Sequence, residues 1–463
     1  MKIYNTLAGK KQNFKPITKG VVNMYLCGPT VYAPAHLGHG RSSVAFDVIR
    51  RYLMFKGYTV RFASNYTDID DKMIKNAKEK NMTVKQLAES VIPLYERDYG
   101  NLNILPPDFQ PRATQYIESI NELIKKLQEN DSVYELDDGI YFDINTFPKY
   151  GALSNQKLEE LQMGARVAVN ENKKNPQDFA LWKKAKLGEP SWDSPWGKGR
   201  PGWHIECSAM STSLLGETLD IHAGGADLVF PHHECEIAQS EKATGKTFAK
   251  YWMHNGFINI NEEKMSKSLG NIISLQYLIK KYGGDVIRFL YLQTHYRSPI
   301  NFSNSLISQS KNSLERIHDF IRNLKREKVE GDLSKAVENY ISDAKDKFIS
   351  NMDNDFETPG ALAAIFELIK NINVYSEKSP LTKGDQEALF EFLREIDTVF
   401  AVIFPEKEGI SKEIKDLINK REKARTDKDF AKADEIRQVL KEKGILVEDT
   451  SEGTIWKKKK PVI

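Results

Sequence analysis

The chain has 463 residues, which is too long for one ordinary hydrophobic core and predicts about three or four domains. Hydrophobic residues make up 40% and charged residues 28%, and no apolar run reaches the ~18–20 residues that cross a bilayer, so we expect no membrane association. Its 67 basic and 64 acidic side chains give a net charge of +3, which by itself does not indicate a nucleic-acid partner.

Two further features of the composition concern the cellular compartment. Residues 1–16 contain no apolar region of the kind found in a secretory signal peptide, so we expect a cytoplasmic protein. The cysteines Cys27, Cys207 and Cys235 are odd in number and far apart, which excludes a disulfide framework. Their thiols are therefore expected to be reduced and available to a metal or to chemistry.

The first third of the chain has the pattern of a strand, a helix and a strand. The apolar run Val21–Leu26 predicts a buried strand, and apolar residues at helical spacing predict a helix over residues 38–55 that stops at Gly57. A second strand is predicted over residues 58–63. Because this order is typical of a right-handed crossover, the sequence predicts an α/β fold with a parallel sheet.

The remaining two thirds divide into segments of different pattern. Residues 83–130 are predicted to be mostly helical, and residues 131–200, rich in glycine, asparagine, lysine and proline, are predicted to be an insertion with loops. Amphipathic patterns over residues 306–404 predict a helical bundle. Other predicted elements are a strand at 218–222, a helix at 232–244, two helices within 411–443, and a hairpin of 445–447 with 454–456.

The segment His36-Leu37-Gly38-His39-Gly40 lies between the first predicted strand and the first predicted helix. In an open parallel sheet such a turn faces the ligand crevice, and the start of the helix favours phosphate. Gly38 lets a nucleotide approach the backbone, and His36 and His39 can donate hydrogen bonds to phosphoryl oxygens. The alternative, two surface histidines in a glycine-rich loop, is the weaker interpretation.

A second charged segment is Lys264-Met265-Ser266-Lys267-Ser268. Two lysines three residues apart, beside small hydroxyl side chains, describe a flexible loop that can clamp a polyphosphate. Alone, the segment is equally consistent with a solvated surface loop. An H-x-G-H turn followed more than 200 residues later by K-M-S-K-S is typical of class I aminoacyl-tRNA synthetases, and at this point the sequence resembles that family.

Four side chains have the chemistry of a zinc site. Cys27 follows the first predicted strand, Cys207 lies in a later segment, and His232 and Glu236 share one face if they lie on a helix. Two thiolates, one imidazole and one carboxylate suit a tetrahedral ion at the mouth of the crevice. The alternative is that both cysteines are small core residues and the histidines lie on a surface helix. We expect the neighbouring Cys235 not to bind the metal.

These motifs, in this order, resemble the cysteinyl-tRNA synthetase family. Further segments that carry the resemblance are TDIDDK, WHIECS, FPHHECE, MDNDFETPGA, KDFAKADEIR, GILVEDT and GTIW, so that residues 20–457 are covered. Two positions depart from the family pattern: Leu37 replaces the isoleucine of H-I-G-H, and Phe430 stands where tryptophan is frequent.

The resemblance implies a Rossmann-like parallel-sheet catalytic domain with an insertion, followed by a helical bundle and a small C-terminal tRNA-binding domain. The implied reaction activates L-cysteine with ATP to cysteinyl-adenylate and transfers cysteine to the 3′ end of tRNA(Cys). The implied domains are the catalytic halves 1–130 and 201–255, the insertion 131–200, the K-M-S-K-S and stem-contact region 256–310, the bundle 311–404 and the anticodon-binding domain 405–463.

The resemblance also implies a role for individual residues. The catalytic residues would be His36, His39, Lys264 and Lys267, and ATP would be bound by Gly38, His39, Asp227 and Lys267. The cysteine pocket would contain Gly28, Thr67, Trp203 and His222, although Trp203 can also be read as a core aromatic residue. One Zn²⁺ per chain would be held by Cys27, Cys207, His232 and Glu236, Mg²⁺ would accompany ATP, and tRNA would be bound by Arg425, Phe430, Asp434 and Asp449. We expect a monomer.

Three other functions compete with this interpretation. A ligase that joins cysteine to an amino-sugar would share the zinc and adenylate chemistry, but it would not need residues 405–463. A non-catalytic RNA-binding protein derived from a synthetase would not be expected to keep all of these motifs. A simple nucleotidyltransferase would explain the H-x-G-H turn and leave the cysteines unexplained.

Overall fold

A parallel sheet forms the core of the larger of two structural units. The computed structural model describes residues 1–156, 172–260, 263–265, 270–325, 329–404, 412–443, 445–450 and 453–458. The first unit comprises Met1–Ser310 and Ile349–Leu362, and the second comprises Lys311–Phe348 and Ala363–Ile463.

The described strands are short, and most of them belong to the first unit. They are β1 (Lys2–Asn5), β2 (Lys10–Asn13), β3 (Val21–Leu26), β4 (Thr59–Ser64), β5 (Val133–Leu136), β6 (Gly139–Phe142), β7 (Phe179–Lys184), β8 (Gly199–Pro201), β9 (Leu219–Gly225), β10 (Ala249–Asn255), β11 (Ile258–Ile260), β12 (Glu263–Lys264), β13 (Ile300–Phe302), β14 (Ile445–Thr450) and β15 (Gly453–Lys458).

The described helices surround the sheet in the first unit and make up most of the second. They are α1 (Leu37–Phe55), α2 (Asp71–Glu79), α3 (Val84–Asn101), α4 (Ile117–Glu129), α5 (Trp203–Leu215), α6 (Glu234–Thr244), α7 (Leu275–Tyr282), α8 (Gly284–Leu292), α9 (Asn304–Asn323), α10 (Lys335–Met352), α11 (Thr358–Ser376), α12 (Lys383–Phe400), α13 (Lys412–Thr426) and α14 (Phe430–Glu442). Among the described helices, none is long and apolar enough to span a membrane.

The parallel sheet has the order β10-β9-β3-β4. All three neighbouring pairs are parallel, and Leu26 at the end of β3 pairs with both Ser64 and Ala223. Because the carboxyl ends of the strands align, the loops that follow them open on the same edge. β3 is mostly buried, as expected for a strand covered on both faces. The predicted α/β fold with a parallel sheet is confirmed.

The segment predicted to be an insertion with loops contains a second sheet. Its strands β5, β6, β7 and β8 are antiparallel neighbours in that order. Phe142 pairs with Phe179, and the side chain of Trp182 is fully buried. The prediction of loops was wrong for these residues, because strands of three to six residues are too short to show a clear alternating pattern and the partners are far apart in sequence.

The carboxyl-terminal part of the second unit is a small α/β module. The helices α13 and α14 and the hairpin β14–β15 form it, as predicted. Its core contains buried aliphatic side chains, namely Ile418, Ile436, Leu440, Ile445 and Val447. Such a core, formed by residues near each other in sequence, explains why the local pattern was enough to predict the elements.

Candidate functional site

The residues predicted to do chemistry lie at the carboxyl edge of the parallel sheet. Cys27 follows β3 directly, and its backbone N–H donates to the carbonyl of Ala223 in β9 (2.9 Å). Thr67 follows β4 and is connected to the loop after β3, because its N–H donates to the carbonyl of Pro29 (3.1 Å). His222 lies in β9, between these strands and β10. The structure therefore brings together side chains that are up to about 200 residues apart.

The H-L-G-H turn forms the amino-terminal cap of α1. Nδ1 of His36 accepts hydrogen bonds from the N–H groups of Gly38 (3.1 Å) and His39 (3.4 Å). Nδ1 of His39 accepts in return from the N–H of His36 (3.2 Å) and lies 3.2 Å from the Tyr95 hydroxyl. The two imidazole rings are stacked at 3.6 Å between centroids. In the neutral rings, acceptance at both Nδ1 atoms places the protons on Nε2.

The start of α1 is fixed by buried contacts with the chain after residue 270. Arg41 is 1% exposed and donates to the carbonyls of Tyr291 (2.6 Å), Thr294 (3.2 Å) and His295 (2.6 Å). Burial lowers the pKa of Arg41 to about 10, which leaves it charged at neutral pH. A Cβ at Gly40 would lie 2.8 Å from the Tyr291 hydroxyl, so this close approach requires glycine.

Met265 of the K-M-S-K-S segment and Ile273, which follows the segment, lie next to the H-L-G-H turn. The Met265 methyl group would be 3.3 Å from a Cβ at Gly38, and the Leu37 N–H donates to the carbonyl of Ile273 (3.0 Å). The backbone of Lys264 pairs with Asn259 in β11, whereas Lys267 lies outside the described residues. One described position within the segment and one five residues after it therefore lie beside the turn.

A buried cluster of metal-ligand side chains contains the four residues predicted to bind zinc. Ligand atoms of Cys27, Cys207, His232 and Glu236 all lie within 4.8 Å of one another. The Cys27 thiol is 3.3 Å from Glu236 Oε1, and Nε2 of His232 is 3.0 Å from the same oxygen. Four ligands at ~2.0–2.3 Å from a tetrahedral zinc lie ~3.3–3.8 Å apart, so modest movements would close this set around an ion.

The electrostatics of the cluster favour a positive charge at its centre. Burial alone would lower the pKa of His232, but the Glu236 carboxylate and the Cys207 sulfur outweigh it and raise that pKa to about 10. The Cys27 thiol and the His232 imidazole lower the pKa of Cys207 to about 6, against burial. Burial opposes ionisation of Glu236, yet His222 and His232 hold its pKa well below the usual range. The donor set therefore fits a cation.

A second donor set overlaps the predicted one. Ligand atoms of Cys27, His222, His233 and Glu236 also lie within 4.8 Å of one another. Nε2 of His222 is 3.2 Å from the Cys27 sulfur and 3.3 Å from Glu236 Oε2. The structure thus places His222, predicted to line the cysteine pocket, against the metal cluster itself. Cys235 belongs to neither set, and its sulfur lies 3.3 Å from the Tyr150 hydroxyl.

The other predicted pocket residues lie around this cluster. The Gly28 N–H donates to Asn65 Oδ1 (2.9 Å), and that oxygen lies 3.6 Å from the Cys207 sulfur. The Thr67 hydroxyl accepts from the Asn65 amide (3.4 Å). Trp203 is 38% exposed and stacks on His232 at 4.5 Å, so it is not a core residue. Asp227 follows β9 by two residues, and its carboxylate lies against Gly225, the last residue of that strand.

Two polar residues of this region, Asn65 and His204, were not predicted from the sequence. Asn65 links Gly28, Thr67 and Cys207, as described above. His204 places its Nδ1 3.0 Å from Nδ1 of His232. A histidine adjacent to Trp203 in the W-H-I-E-C-S segment was the available signal, but its partner is 28 residues away and only the fold identifies it.

The predicted tRNA-binding residues lie in the carboxyl-terminal module of the second unit. Arg425 is exposed in the last turn of α13, and Phe430, at the start of α14, is 58% exposed. Asp434 is exposed on the same helix. Asp449 lies in β14 opposite Thr454. An exposed phenylalanine ring is suited to stacking on an unpaired base, and an exposed arginine is suited to meeting phosphate.

Several solved structures with the same fold are synthetases of other amino acids. Mycobacterium tuberculosis methionyl-tRNA synthetase bound by methionyl-adenylate matches with a TM-score of 0.65 and 16% identity over 84% of this chain and 92% of that chain. The Agrobacterium radiobacter K84 agnB2 LeuRS-tRNA-LeuAMS complex matches with a TM-score of 0.63 and 12% identity, over 84% of this chain and 85% of that chain. A protein described as a putative arginyl-tRNA synthetase, from Campylobacter jejuni, matches with a TM-score of 0.55 and 12% identity, over 86% of this chain and 95% of that chain. At these identities the likeness shows the fold alone.

Three family models match successive parts of the sequence. The tRNA synthetases class I (C) catalytic domain matches residues 13–312, the DALR domain matches residues 347–404, and the cysteinyl-tRNA ligase anticodon binding domain matches residues 407–456. The first of these covers more than half of the chain, and the third is a domain of cysteinyl-tRNA ligases. The resemblance found in the sequence is confirmed, and the chain belongs to the cysteinyl-tRNA synthetase family.

Proposed function

We propose that the crevice at the carboxyl edge of the parallel sheet activates cysteine for transfer to tRNA(Cys). As a member of its family the chain is an ATP-dependent cysteine–tRNA ligase, which forms cysteinyl-adenylate and pyrophosphate and then esterifies the 3′ end of the tRNA. The observation that carries the assignment of the site is the buried Cys27, Cys207, His232 and Glu236 cluster at the same strand ends as the H-L-G-H turn.

The two histidines of the turn are proposed to stabilise the phosphate that reacts. Because Nδ1 of His36 and of His39 accepts backbone hydrogen bonds, each neutral ring carries an N–H at Nε2 that can donate to a phosphoryl oxygen. The amino terminus of α1 adds its positive dipole end. We assign Gly38 to close contact with ATP, Asp227 to ATP binding, and Lys264 and Lys267 to the pyrophosphate, with Mg²⁺ accompanying the nucleotide.

The metal is proposed to be Zn²⁺, held by Cys27, Cys207, His232 and Glu236. When bound, zinc supplies a soft coordination position that takes the thiolate of cysteine and offers little to the hydroxyl of serine. Because serine cannot make this contact, the site can discriminate cysteine from serine by a factor of ~10⁴–10⁵. A separate editing domain is therefore not required.

Accessibility favours this set over the overlapping one. All three histidines are buried, with His222 and His233 0% exposed and His232 2% exposed, but the ring that covers His232 belongs to Trp203, which is 38% exposed. A substrate sulfur can therefore approach the His232 side of the cluster more readily. The chain contributes two thiols to this set and one to the other, and sulfur ligands select zinc over the hard cations.

The rest of the pocket is assigned to cysteine orientation. Gly28 and Thr67 are joined through Asn65 to Cys207, so the loops after β3 and β4 are held against the cluster. We propose that these residues, with Trp203, contact the amino acid. His222, 3.2 Å from the Cys27 sulfur, is proposed to orient that ligand as well as to line the pocket.

The carboxyl-terminal module is proposed to recognise the anticodon of tRNA(Cys). Phe430 would stack on a splayed base, Arg425 would meet phosphate or base, and Asp434 and Asp449 would accept hydrogen bonds from base amino groups. The match to an anticodon-binding model over residues 407–456 supports this role and disfavours the ligase with a small acceptor. We further propose a monomer located in the cytoplasm.

The proposed function is tested by ATP–pyrophosphate exchange with a panel of amino acids, followed by charging of tRNA(Cys). Cysteine alone should support rapid exchange, and tRNA(Cys) should then be charged. Exchange with cysteine but transfer to a small amine instead of tRNA would replace the proposal by the amino-sugar ligase.

A further inference from the structure

The imidazole of His204 faces the outer side of the proposed ligand His232. Their Nδ1 atoms are 3.0 Å apart, which is a hydrogen-bond distance. Two ring nitrogens at this distance share a single proton, so one of them must donate and the other must accept.

The direction of this hydrogen bond follows from the opposite edge of His232. Nε2 of His232 faces the cluster, at 3.0 Å from Oε1 of Glu236. An imidazole that offers Nε2 to a metal carries its proton on Nδ1. His232 is therefore the donor, and His204 accepts at Nδ1 and carries its own proton on Nε2.

We propose that His204 is a positioning residue that fixes the tautomer and the ring orientation of His232 for metal binding. This inference rests on the proposed metal site and adds to it a residue that touches neither substrate nor metal. An outer acceptor of this kind raises the basicity of a metal-binding imidazole and prevents its ring from rotating away.

Contacts on several sides hold both rings in place. The Gln239 amide donates to the backbone carbonyl of His204 (2.8 Å) and to the Ser208 hydroxyl (3.2 Å), which ties the start of α5 to α6. The ring of Phe179 meets His204 edge-on at 5.6 Å, and Trp203 covers the His232 ring at 4.5 Å. His204 is thus anchored by groups that do not belong to the cluster.

The overlapping donor set has a similar outer histidine. Nδ1 of His233 is 2.7 Å from Nε2 of His254, whose Nδ1 lies 2.8 Å from the Thr6 hydroxyl. Nε2 of His233 is 3.9 Å from Glu236 Oε1, farther than the corresponding atom of His232. His254 therefore provides a matched comparison, because replacing it should affect the metal only if His233 is a ligand.

The test compares variants that separate hydrogen bonding from ring packing. His204→Asn keeps an acceptor near the Nδ1 position, whereas His204→Phe keeps an aromatic ring and removes the acceptor. We expect zinc affinity, measured by chelator competition, to fall about 10–100-fold in His204→Phe and to be largely retained in His204→Asn. His254→Phe should leave it unchanged. Wild-type affinity in His204→Phe, or an equal loss in both His204 variants, would overturn the inference, as would a loss confined to His254→Phe.

A measurement on the unmodified protein removes any dependence on how the variants fold. Nitrogen-15 NMR of the histidine rings in the zinc-loaded protein should place the His204 proton on Nε2 and the His232 proton on Nδ1. A proton on Nδ1 of His204 would reverse the hydrogen bond and refute the proposed role. If the wild-type protein binds no zinc, the metal site itself is wrong, and that result is distinguishable from a change confined to His204.

Discussion

Replacing Cys207 by serine should remove most of the metal affinity, whereas the same change at Cys235 should not. Both side chains are buried thiols, 2% and 1% exposed, so the two substitutions alter volume and polarity equally. Cys207 belongs to the proposed donor set, and Cys235 lies 3.3 Å from the Tyr150 hydroxyl instead. A serine hydroxyl can keep the contact with Tyr150 but is a poor ligand for zinc.

The expected magnitude follows from the number of ligands. Four-ligand zinc sites have apparent binding free energies of about 10–16 kcal/mol, which is about 2.5–4 kcal/mol per ligand. Loss of one of the four donors should therefore weaken zinc binding by roughly 10²–10³-fold. The Cys27 thiol and the His232 imidazole lower the pKa of Cys207 and so favour its thiolate, an anionic donor that serine does not provide.

The assay is competition with a chromophoric zinc chelator, together with metal analysis of the purified protein. Wild type and Cys235→Ser should each bind about one zinc per chain with similar affinity. Thermal unfolding at saturating zinc checks that the variants are folded. Undiminished affinity in Cys207→Ser would refute the assigned set and favour Cys27, His222, His233 and Glu236. Full zinc occupancy in a Cys27/Cys207 double variant would exclude both sets.

Three further predictions concern other parts of the chain. Lys267→Ala should slow adenylate formation by about 10²–10³-fold with little change in cysteine affinity, because the lysine is assigned to the pyrophosphate. Pre-steady-state kinetics of adenylate formation measure both quantities. A collapse of cysteine binding at an unchanged rate of adenylate formation would contradict this assignment. Phe430→Ala should weaken tRNA(Cys) binding by about 1–3 kcal/mol in filter-binding assays and leave exchange intact, because an exposed ring stacks on a base; unchanged binding would move the anticodon reader elsewhere. Arg41→Met should lower the free energy of unfolding by about 3–5 kcal/mol in denaturant titrations, since three backbone carbonyls lose a charged donor. A decrease below ~1 kcal/mol would mean that this contact does not fix the start of α1.

Much of the fold could be predicted from local pattern. β3 has the predicted bounds Val21–Leu26, and the helix after it begins one residue earlier than expected because His36 caps it. The second sheet of the insertion could not be predicted in this way, because the pairing of Phe142 with Phe179 depends on contacts between distant segments.

The candidate site shows the same division. Residue type and order were enough to select Cys27, Cys207, His232 and Glu236, which the structure brings within 4.8 Å of one another. The sequence gives no sign that His222 and His233 form an overlapping set. The pairing of His204 with His232 is equally invisible, since it depends on the packing of α5 against the turn before α6.

Coordination of one metal ion by Cys27, Cys207, His232 and Glu236, at the carboxyl edge of the sheet, is the proposal on which the function of this crevice depends. It is tested most directly by anomalous diffraction from crystals of the zinc-loaded protein, with data collected on both sides of the zinc absorption edge. We expect one peak per chain, about 2.0–2.3 Å from a ligand atom of each of the four residues. A peak bound by His222 and His233 instead, or no peak at the cluster, would contradict it.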